Sequence, residues 1–135
     1  MNASIKAFLS ENIATCELIA RHFDVYTPVV DTHGHDLLVL KNDKYVKLQV
    51  KASFATTGVY TFNCHYGKFV NKNYTYDMVD FFILYIDQHK IWYIIPAKEI
   101  IENSGNVSIR LCDCNKYNIY KNNWNLLEEY VENNN

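Results

Sequence analysis

The stretch HDLLVLKNDKYVKLQVK, residues 35–51, has the pattern of two β-strands joined by a tight turn. The Asn-Asp pair at positions 42–43 tolerates positive φ angles and suits a two-residue hairpin loop. With that loop, the register of the hairpin places Asp36 directly across from Gln49. The sequence therefore predicts a β-hairpin that presents polar groups on one of its faces.

Side chains alternate between the two faces of a strand, so Gln49 and Lys51 share one face and Val50 takes the apolar face. Direct cross-strand neighbours lie about 5 Å apart between Cβ atoms, and a diagonal neighbour such as Lys51 lies roughly 7–8 Å away. A carboxylate from Asp36, a carboxamide and an ammonium group are thus expected in one patch. This patch has the size of one divalent cation and one phosphate.

A hard cation such as Mg²⁺ prefers oxygen ligands. Asp36 supplies a charged ligand, the Gln49 side-chain carbonyl a neutral one, and the main-chain carbonyl of Val50 a third. Lys51 would then orient or deprotonate a water molecule, or hold the phosphate. The alternative is a half-buried strand whose polar side chains simply face solvent, and the spacing alone fits both readings.

The pattern of Asp36, a strand and turn, and then Gln49-Val50-Lys51 resembles the signature of PD-(D/E)XK nucleases, with Gln in the (D/E) position. The segment YTPVVDTHGHD, residues 26–36, resembles the group I intron-associated homing endonucleases. In that branch a strand and a proline precede a D-x-x-G-x-D segment, and the second strand ends in Q-V-K. Further similarity covers residues 79–96 and 117–127, so the resemblance extends over most of the chain.

The resemblance implies an α/β fold of the restriction endonuclease-like type, a mixed central β-sheet flanked by α-helices. It also implies Mg²⁺, with Mn²⁺ as a substitute, held by Asp36 as the main ligand and Gln49 as an auxiliary one, beside Lys51. In the family a glutamate on the first helix often points into the metal site. Glu17 is the candidate for that role and a further metal ligand, although a shift of one residue puts Cys16 there. A plain surface role for Glu17 remains equally open.

The implied activity is hydrolysis of phosphodiester bonds in double-stranded DNA by a metal-dependent endonuclease. Relatives act as oligomers, so a dimer or tetramer on a symmetric site is expected. Two alternatives remain: a structure-selective nuclease such as a Holliday-junction resolvase, and a DNA-binding module of the same fold that has lost cleavage. The glutamine in place of an acid keeps the second alternative open.

A chain of 135 residues suits one domain, which we expect over residues 1–132 with a frayed tail at 133–135. The formal net charge of −2 counts against a generally basic DNA-binding surface, so local contacts are expected instead. Candidates for DNA contacts are Lys68, Lys72 and His33, although the polar segment that carries the two lysines also fits an ordinary exposed loop.

The four cysteines lack a disulfide framework, the N-terminus lacks a signal peptide, and no stretch has the ~18–20 apolar residues that span a bilayer. A reducing cytosolic setting is therefore expected. A zinc site is not expected, because Cys112 and Cys114 are separated by only one residue and no CxxC partner exists. Asp31 is either a second carboxylate near the metal or an ordinary turn-capping residue.

Hydrophobic periodicity and turn residues predict the remaining elements. The first helix is expected over residues 3–22 with a break near Ser10, which would cap a second segment. Its core face is expected to carry Ile13, Cys16, Ile19 and Ala20. The other expected elements are strands at 23–27 and 57–66, a hairpin at 81–86 and 90–96 that is buried on both faces, a helix at 97–103, an edge strand at 107–111, and a last helix capped by Asn122 or Asn123.

Overall fold

The computed structural model describes residues 1–30, 34–56, 58–65, 74–103 and 105–132. Five features predicted from the sequence lie outside these ranges: the roles of Asp31, His33, Lys68 and Lys72, and the tail at 133–135.

The central hairpin forms as the sequence predicts. It consists of β2 (Leu37–Lys41) and β3 (Lys44–Ser53), which are antiparallel. Asn42 and Asp43 have φ angles of 53° and 60°, so both occupy the left-handed region that a two-residue loop of this type requires. The predicted register is confirmed from the pair at the turn as far as the pair of Leu37 with Leu48.

The hairpin lies in a five-stranded mixed sheet whose spatial order is β1, β2, β3, β5, β6. Its other members are β1 (Asp24–Tyr26), β5 (Phe81–Ile86) and β6 (Ile91–Pro96). Among the strand pairs that the structure describes in this sheet, β3 with β5 is the parallel one, and the chain between them contains β4 (Tyr60–Asn63). β4 pairs with β7 (Asn106–Ile109) in a separate antiparallel sheet of two strands.

The helices are α1 (Ala3–Ala20), α2 (Ala97–Ile101) and α3 (Asn125–Glu132). Leu18 of α1 and Leu127 of α3 belong to the core on one face of the five-stranded sheet. Phe62 of β4 and Ile109 of β7 belong to the core on the other face. All residues of β5 are buried, so the prediction that the hairpin of β5 and β6 is buried on both faces is confirmed.

Two predictions for α1 are wrong. The helix is continuous through Ser10, whose hydroxyl donates to the Lys6 carbonyl one turn earlier instead of capping a new segment. Its buried face carries Ala14 and Leu18. Of the predicted face, Ile13 packs against the same core, whereas Cys16, Ile19 and Ala20 are exposed. Apolar residues occur around most of this helix, so its periodicity does not select one face.

Asn122 or Asn123 was predicted to cap α3, which begins at Asn125, and Asn122 does not fill that role. The Asn122 N–H donates to the Trp92 carbonyl at 2.7 Å, and its side-chain Oδ1 accepts from the Trp92 N–H at 2.9 Å. Both main-chain hydrogen-bonding groups of Trp92 in β6, its N–H and its carbonyl, are therefore bonded to Asn122. In the part of the chain that the structure describes, no helix has the length and apolar character needed to cross a membrane.

Candidate active site

The candidate site begins where the β2–β3 ladder ends. Leu37 pairs with Leu48, and the main-chain N–H of Asp36 also donates to the Leu48 carbonyl, at 2.9 Å. Two residues of one strand thus face a single residue of the other, which is the arrangement of a β-bulge. The predicted direct pairing of Asp36 with Gln49 is therefore wrong, because the bulge re-aims the Asp36 side chain.

The re-aimed carboxylate reaches the main chain of the neighbouring strand. Asp36 Oδ2 accepts a hydrogen bond of 2.9 Å from the N–H of Val50. That N–H belongs to the peptide group that joins Gln49 to Val50, and it lies near the plane of the sheet. The carboxylate is thereby fixed at the open edge of β3, beside the Gln49-Val50-Lys51 segment.

The main-chain carbonyl of Val50 points toward the same edge. In a β-strand, the N–H and C=O of one residue point to the same side of the strand, and the Val50 N–H points to Asp36. β2 begins at Leu37 and does not extend far enough to cover the Val50 carbonyl. The main-chain oxygen considered from the sequence is therefore close to the Asp36 carboxylate.

Gln49 and Lys51 lie beside Phe82 and Leu84 of β5, on the face of the five-stranded sheet that packs against β4 and β7. Gln49 is only 7% exposed, which makes it one of two buried polar residues in the described chain. Lys51 is half-buried. The sheet therefore holds the carboxamide in a nearly dry position and leaves the ammonium group closer to solvent.

Cys64, which follows β4, is a neighbour of Lys51 that the sequence analysis did not identify. Burial raises the pKa of the Cys64 thiol to about 12, and the positive charge of Lys51 opposes this shift. The thiol is therefore neutral near pH 7. The group that lies next to Lys51 at this position, the Cys64 thiol, is therefore uncharged.

Glu17 does not lie at the Asp36 end of the sheet. Its carboxylate pairs with Arg21 at 3.0 Å, and the main-chain carbonyl of Arg21 accepts from Lys41 Nζ at 2.9 Å. Lys41 is the last residue of β2, next to the hairpin turn, whereas Asp36 precedes the first. The structure therefore brings Glu17 to the turn end of the hairpin and not to Asp36. Cys16, the alternative at this position, is exposed.

A different glutamate of α1 lies near the site. Glu11 lines a cavity of about 270 Å³ together with Thr27 and Leu37, the residue that follows Asp36. The lengths of the two elements agree with this placement. Arg21 and Lys41 are in contact; from there the helix runs ~15 Å back to Glu11, and the strand runs about 17 Å back to Asp36.

The sequence carries a signal for Glu11. Glu11 precedes Leu18 by seven residues, which is two helical turns, so both lie on the same face of α1. Leu18 is fully buried against the sheet. Had Leu18 been recognised as the centre of the buried face, Glu11 would have been the candidate acid in place of Glu17.

The donor set around Asp36 fits a hard divalent cation. It consists of the Asp36 carboxylate and the Val50 carbonyl at this edge, which are ligand types that Mg²⁺ and Mn²⁺ prefer. Glu11 near Leu37 and Gln49 on β3 carry further oxygen donors. Across the described ranges, no group of three or more His, Cys, Asp and Glu side chains has the placement of a metal site.

Comparison with known proteins agrees with this architecture. The fold is similar to that of the bacterial homing endonuclease I-Ssp6803I, with a TM-score of 0.87 and 18% sequence identity over 99% of this chain and 98% of that chain. No curated protein sequence matches the chain. A sequence model of the PD-(D/E)XK endonuclease family matches residues 1–130. The chain therefore belongs to the PD-(D/E)XK endonuclease family.

Proposed function

We propose that this protein is a metal-dependent endonuclease that hydrolyses phosphodiester bonds in double-stranded DNA, with Mg²⁺ as its cofactor and Mn²⁺ as a substitute. The observation that carries the proposal is the 2.9 Å hydrogen bond between Asp36 and the Val50 N–H. It joins the single acid of the signature to the strand that carries Gln49 and Lys51. Family membership over residues 1–130 supports the nuclease chemistry.

In this proposal Asp36 and Glu11 hold the cation through carboxylate oxygens, and Gln49 and Val50 contribute neutral oxygens. When bound, such a cation lowers the pKa of a coordinated water and offsets negative charge on the phosphate. Glu11 takes the role that the sequence analysis gave to Glu17. Two carboxylates would offset the loss of the acid that usually stands where this chain has Gln49.

Lys51 is the proposed electrostatic and water-orienting residue. Lys51 is half-buried, and the Cys64 thiol near its ammonium group is neutral and so does not compete with the phosphate for it. A cation in a partly dry position stabilises charge that develops on the phosphoryl oxygens more strongly than one in bulk water. Its place in the sheet restricts the Lys51 side chain, so less conformational entropy is lost when this side chain contacts the phosphate.

The proposed substrate is a symmetric site in duplex DNA, cut by a dimer or tetramer of this chain. The fold similarity to a homing endonuclease supports the substrate. Exposed apolar side chains of α1, including Phe8 at 66% and Ile19 at 56%, support burial against another copy. Two copies also supply the two active sites needed to cut both strands.

The test is nicking of supercoiled plasmid DNA by purified protein with Mg²⁺, with Mn²⁺, and with a chelator. We expect activity that the chelator abolishes and that Lys51→Ala lowers by about 10²–10³-fold, the range for losing one transition-state electrostatic contact. Lys98→Ala, on the exposed surface of α2, is the matched control and should retain activity.

Two results would redirect the proposal. Equal residual nicking by wild type and Lys51→Ala would identify contamination and favour the DNA-binding module that has lost cleavage. Cleavage of a four-way junction at concentrations that leave linear duplex intact would favour the Holliday-junction resolvase. A competition between these two substrates in one reaction separates the second alternative from the main proposal.

A further inference from the structure

Two exposed cysteines lie side by side in the loop that follows β7. The Sγ atoms of Cys112 and Cys114 are 2.8 Å apart, and both residues are exposed and free. This loop is far along the chain from the Asp36 region and takes no part in the proposed nuclease chemistry.

The loop around the pair is ordered by hydrogen bonds to the Cys112 main chain. The Cys112 carbonyl accepts from the Asn115 N–H at 3.2 Å and from the Asn118 side-chain amide at 2.9 Å. The Cys112 N–H donates to the Arg110 carbonyl at 2.9 Å. These bonds fix the turn that brings the two thiols together, so little further ordering is needed to join them.

The two thiols are not equivalent. A hydrogen bond with the Cys114 side chain lowers the pKa of Cys112, while the same contact raises the pKa of Cys114. Cys112 is therefore the thiol that ionises first, and the thiolate is the nucleophilic form of cysteine. Cys114 keeps its proton and stays within reach of the Cys112 sulfur.

Space for a small partner adjoins Cys112. The residue lines an open cavity of about 550 Å³ together with Arg110, His89, Tyr60 and Thr56. This volume accommodates a small peptide-like molecule. Arg110 supplies a positive charge at the rim, which favours a partner that carries carboxylates.

We propose that Cys112 and Cys114 form a thiol–disulfide exchange site whose partner is a small anionic disulfide of the glutathione type. The Cys112 thiolate attacks one sulfur of the partner, its S–S bond breaks, and one small thiolate leaves. The Cys114 thiol then loses its proton to solvent and its sulfur attacks Cys112 Sγ. This closes the Cys112–Cys114 bond and releases the second small thiolate. The protein loses two electrons and two protons, and the partner disulfide is reduced to two thiols.

The test uses the full chain, reduced and then equilibrated without oxygen in mixtures of reduced and oxidised glutathione. After an acid quench and alkylation, mass spectrometry of the tryptic peptide 111–116 reports its state. We expect this peptide to lose two hydrogen atoms and to resist alkylation in the oxidising mixtures. Cys16, exposed on α1, provides the matched single thiol and should give only a glutathione adduct.

Two variants test the order of attack. Cys114→Ser should stop at a glutathione adduct on Cys112, and Cys112→Ser should react with oxidised glutathione at least ~10-fold more slowly at pH 7. A wild-type peptide that remains a dithiol, or that carries only glutathione adducts in every mixture, would overturn the proposal. That readout needs no variant, so it stands even if a substitution disturbs the loop. It is also independent of DNA cleavage.

Discussion

Asp36 Oδ2 and the main-chain N–H of Val50 are joined by a hydrogen bond of 2.9 Å. The side chain occupies the place that a main-chain carbonyl of a longer β2 would take, so it continues the sheet by one more bond. The same carboxylate is the only charged oxygen that this part of the signature offers to a cation. One residue therefore serves both the end of the hairpin and the candidate metal site.

These two roles can be separated by substitution. Asp36→Asn keeps an oxygen that accepts from the Val50 N–H but removes the charge, so we expect the free energy of unfolding to stay within about 1 kcal/mol of wild type. Asp36→Ala leaves that N–H without its partner and should cost about 1–3 kcal/mol. Urea denaturation measures stability, and calorimetric titration with Mn²⁺ should show lost binding in both variants. Equal destabilisation by Asn and Ala would contradict this account.

The glutamates of α1 provide a second prediction. Glu11→Gln removes a proposed cation ligand and should lower Mg²⁺-dependent nicking by about 10-fold to 100-fold, the usual cost of weakening a metal site. Glu17→Gln removes only a half-exposed ion pair with Arg21, so its activity should match wild type within experimental error. Nicking rates at saturating and limiting Mg²⁺ measure both. The opposite ranking would restore Glu17 as the site residue.

Tyr93 offers a prediction about stability. Its side chain is 0% exposed, and within the described residues its hydroxyl has no hydrogen-bond partner. Burying an unpaired hydroxyl is unfavourable, so Tyr93→Phe should raise the free energy of unfolding by about 1 kcal/mol. Chemical denaturation of the two proteins measures the change. A loss of more than about 1 kcal/mol would show that the hydroxyl is satisfied in solution.

Stability should fall at alkaline pH. Burial raises the pKa of the Cys64 thiol from 9.0 to about 12, and burial also raises the pKa of Tyr93 and Tyr130. The folded chain therefore keeps protons that the unfolded chain releases. For Cys64 the stabilisation is complete below pH 9 and is lost progressively as the pH rises from about 9 to 12.

Urea midpoints measured from pH 7 to 11 test this expectation. Cys64→Ala removes one of the shifted groups, so its midpoint should decline less steeply with pH than that of wild type. The comparison uses the slope and not the absolute stability, because the truncation also leaves a small cavity. Parallel slopes for the two proteins would show that Cys64 titrates in the same way in the folded and unfolded chains.

The sequence by itself determined the features that depend on neighbouring residues. The Asn42-Asp43 pair fixed a two-residue loop, and the alternation of apolar and polar residues fixed the register of β2 and β3 as far as Leu37 and Leu48. The continuous apolar runs of β5 and β6 likewise predicted a pair buried on both faces. Each of these follows from local backbone preference and side-chain alternation, which act over a few residues.

Only the tertiary structure decided which residues meet around Asp36. α1 is apolar around most of its circumference, so packing of Leu18 against the sheet, and not periodicity, selected the face that carries Glu11 and turned Glu17 toward Arg21. The bulge that aims Asp36 at Val50 likewise forms where β2 ends against its neighbour. Long-range packing determines both the buried face of α1 and the position of the bulge. The free-energy differences between these arrangements and their alternatives come from contacts between residues far apart in the chain.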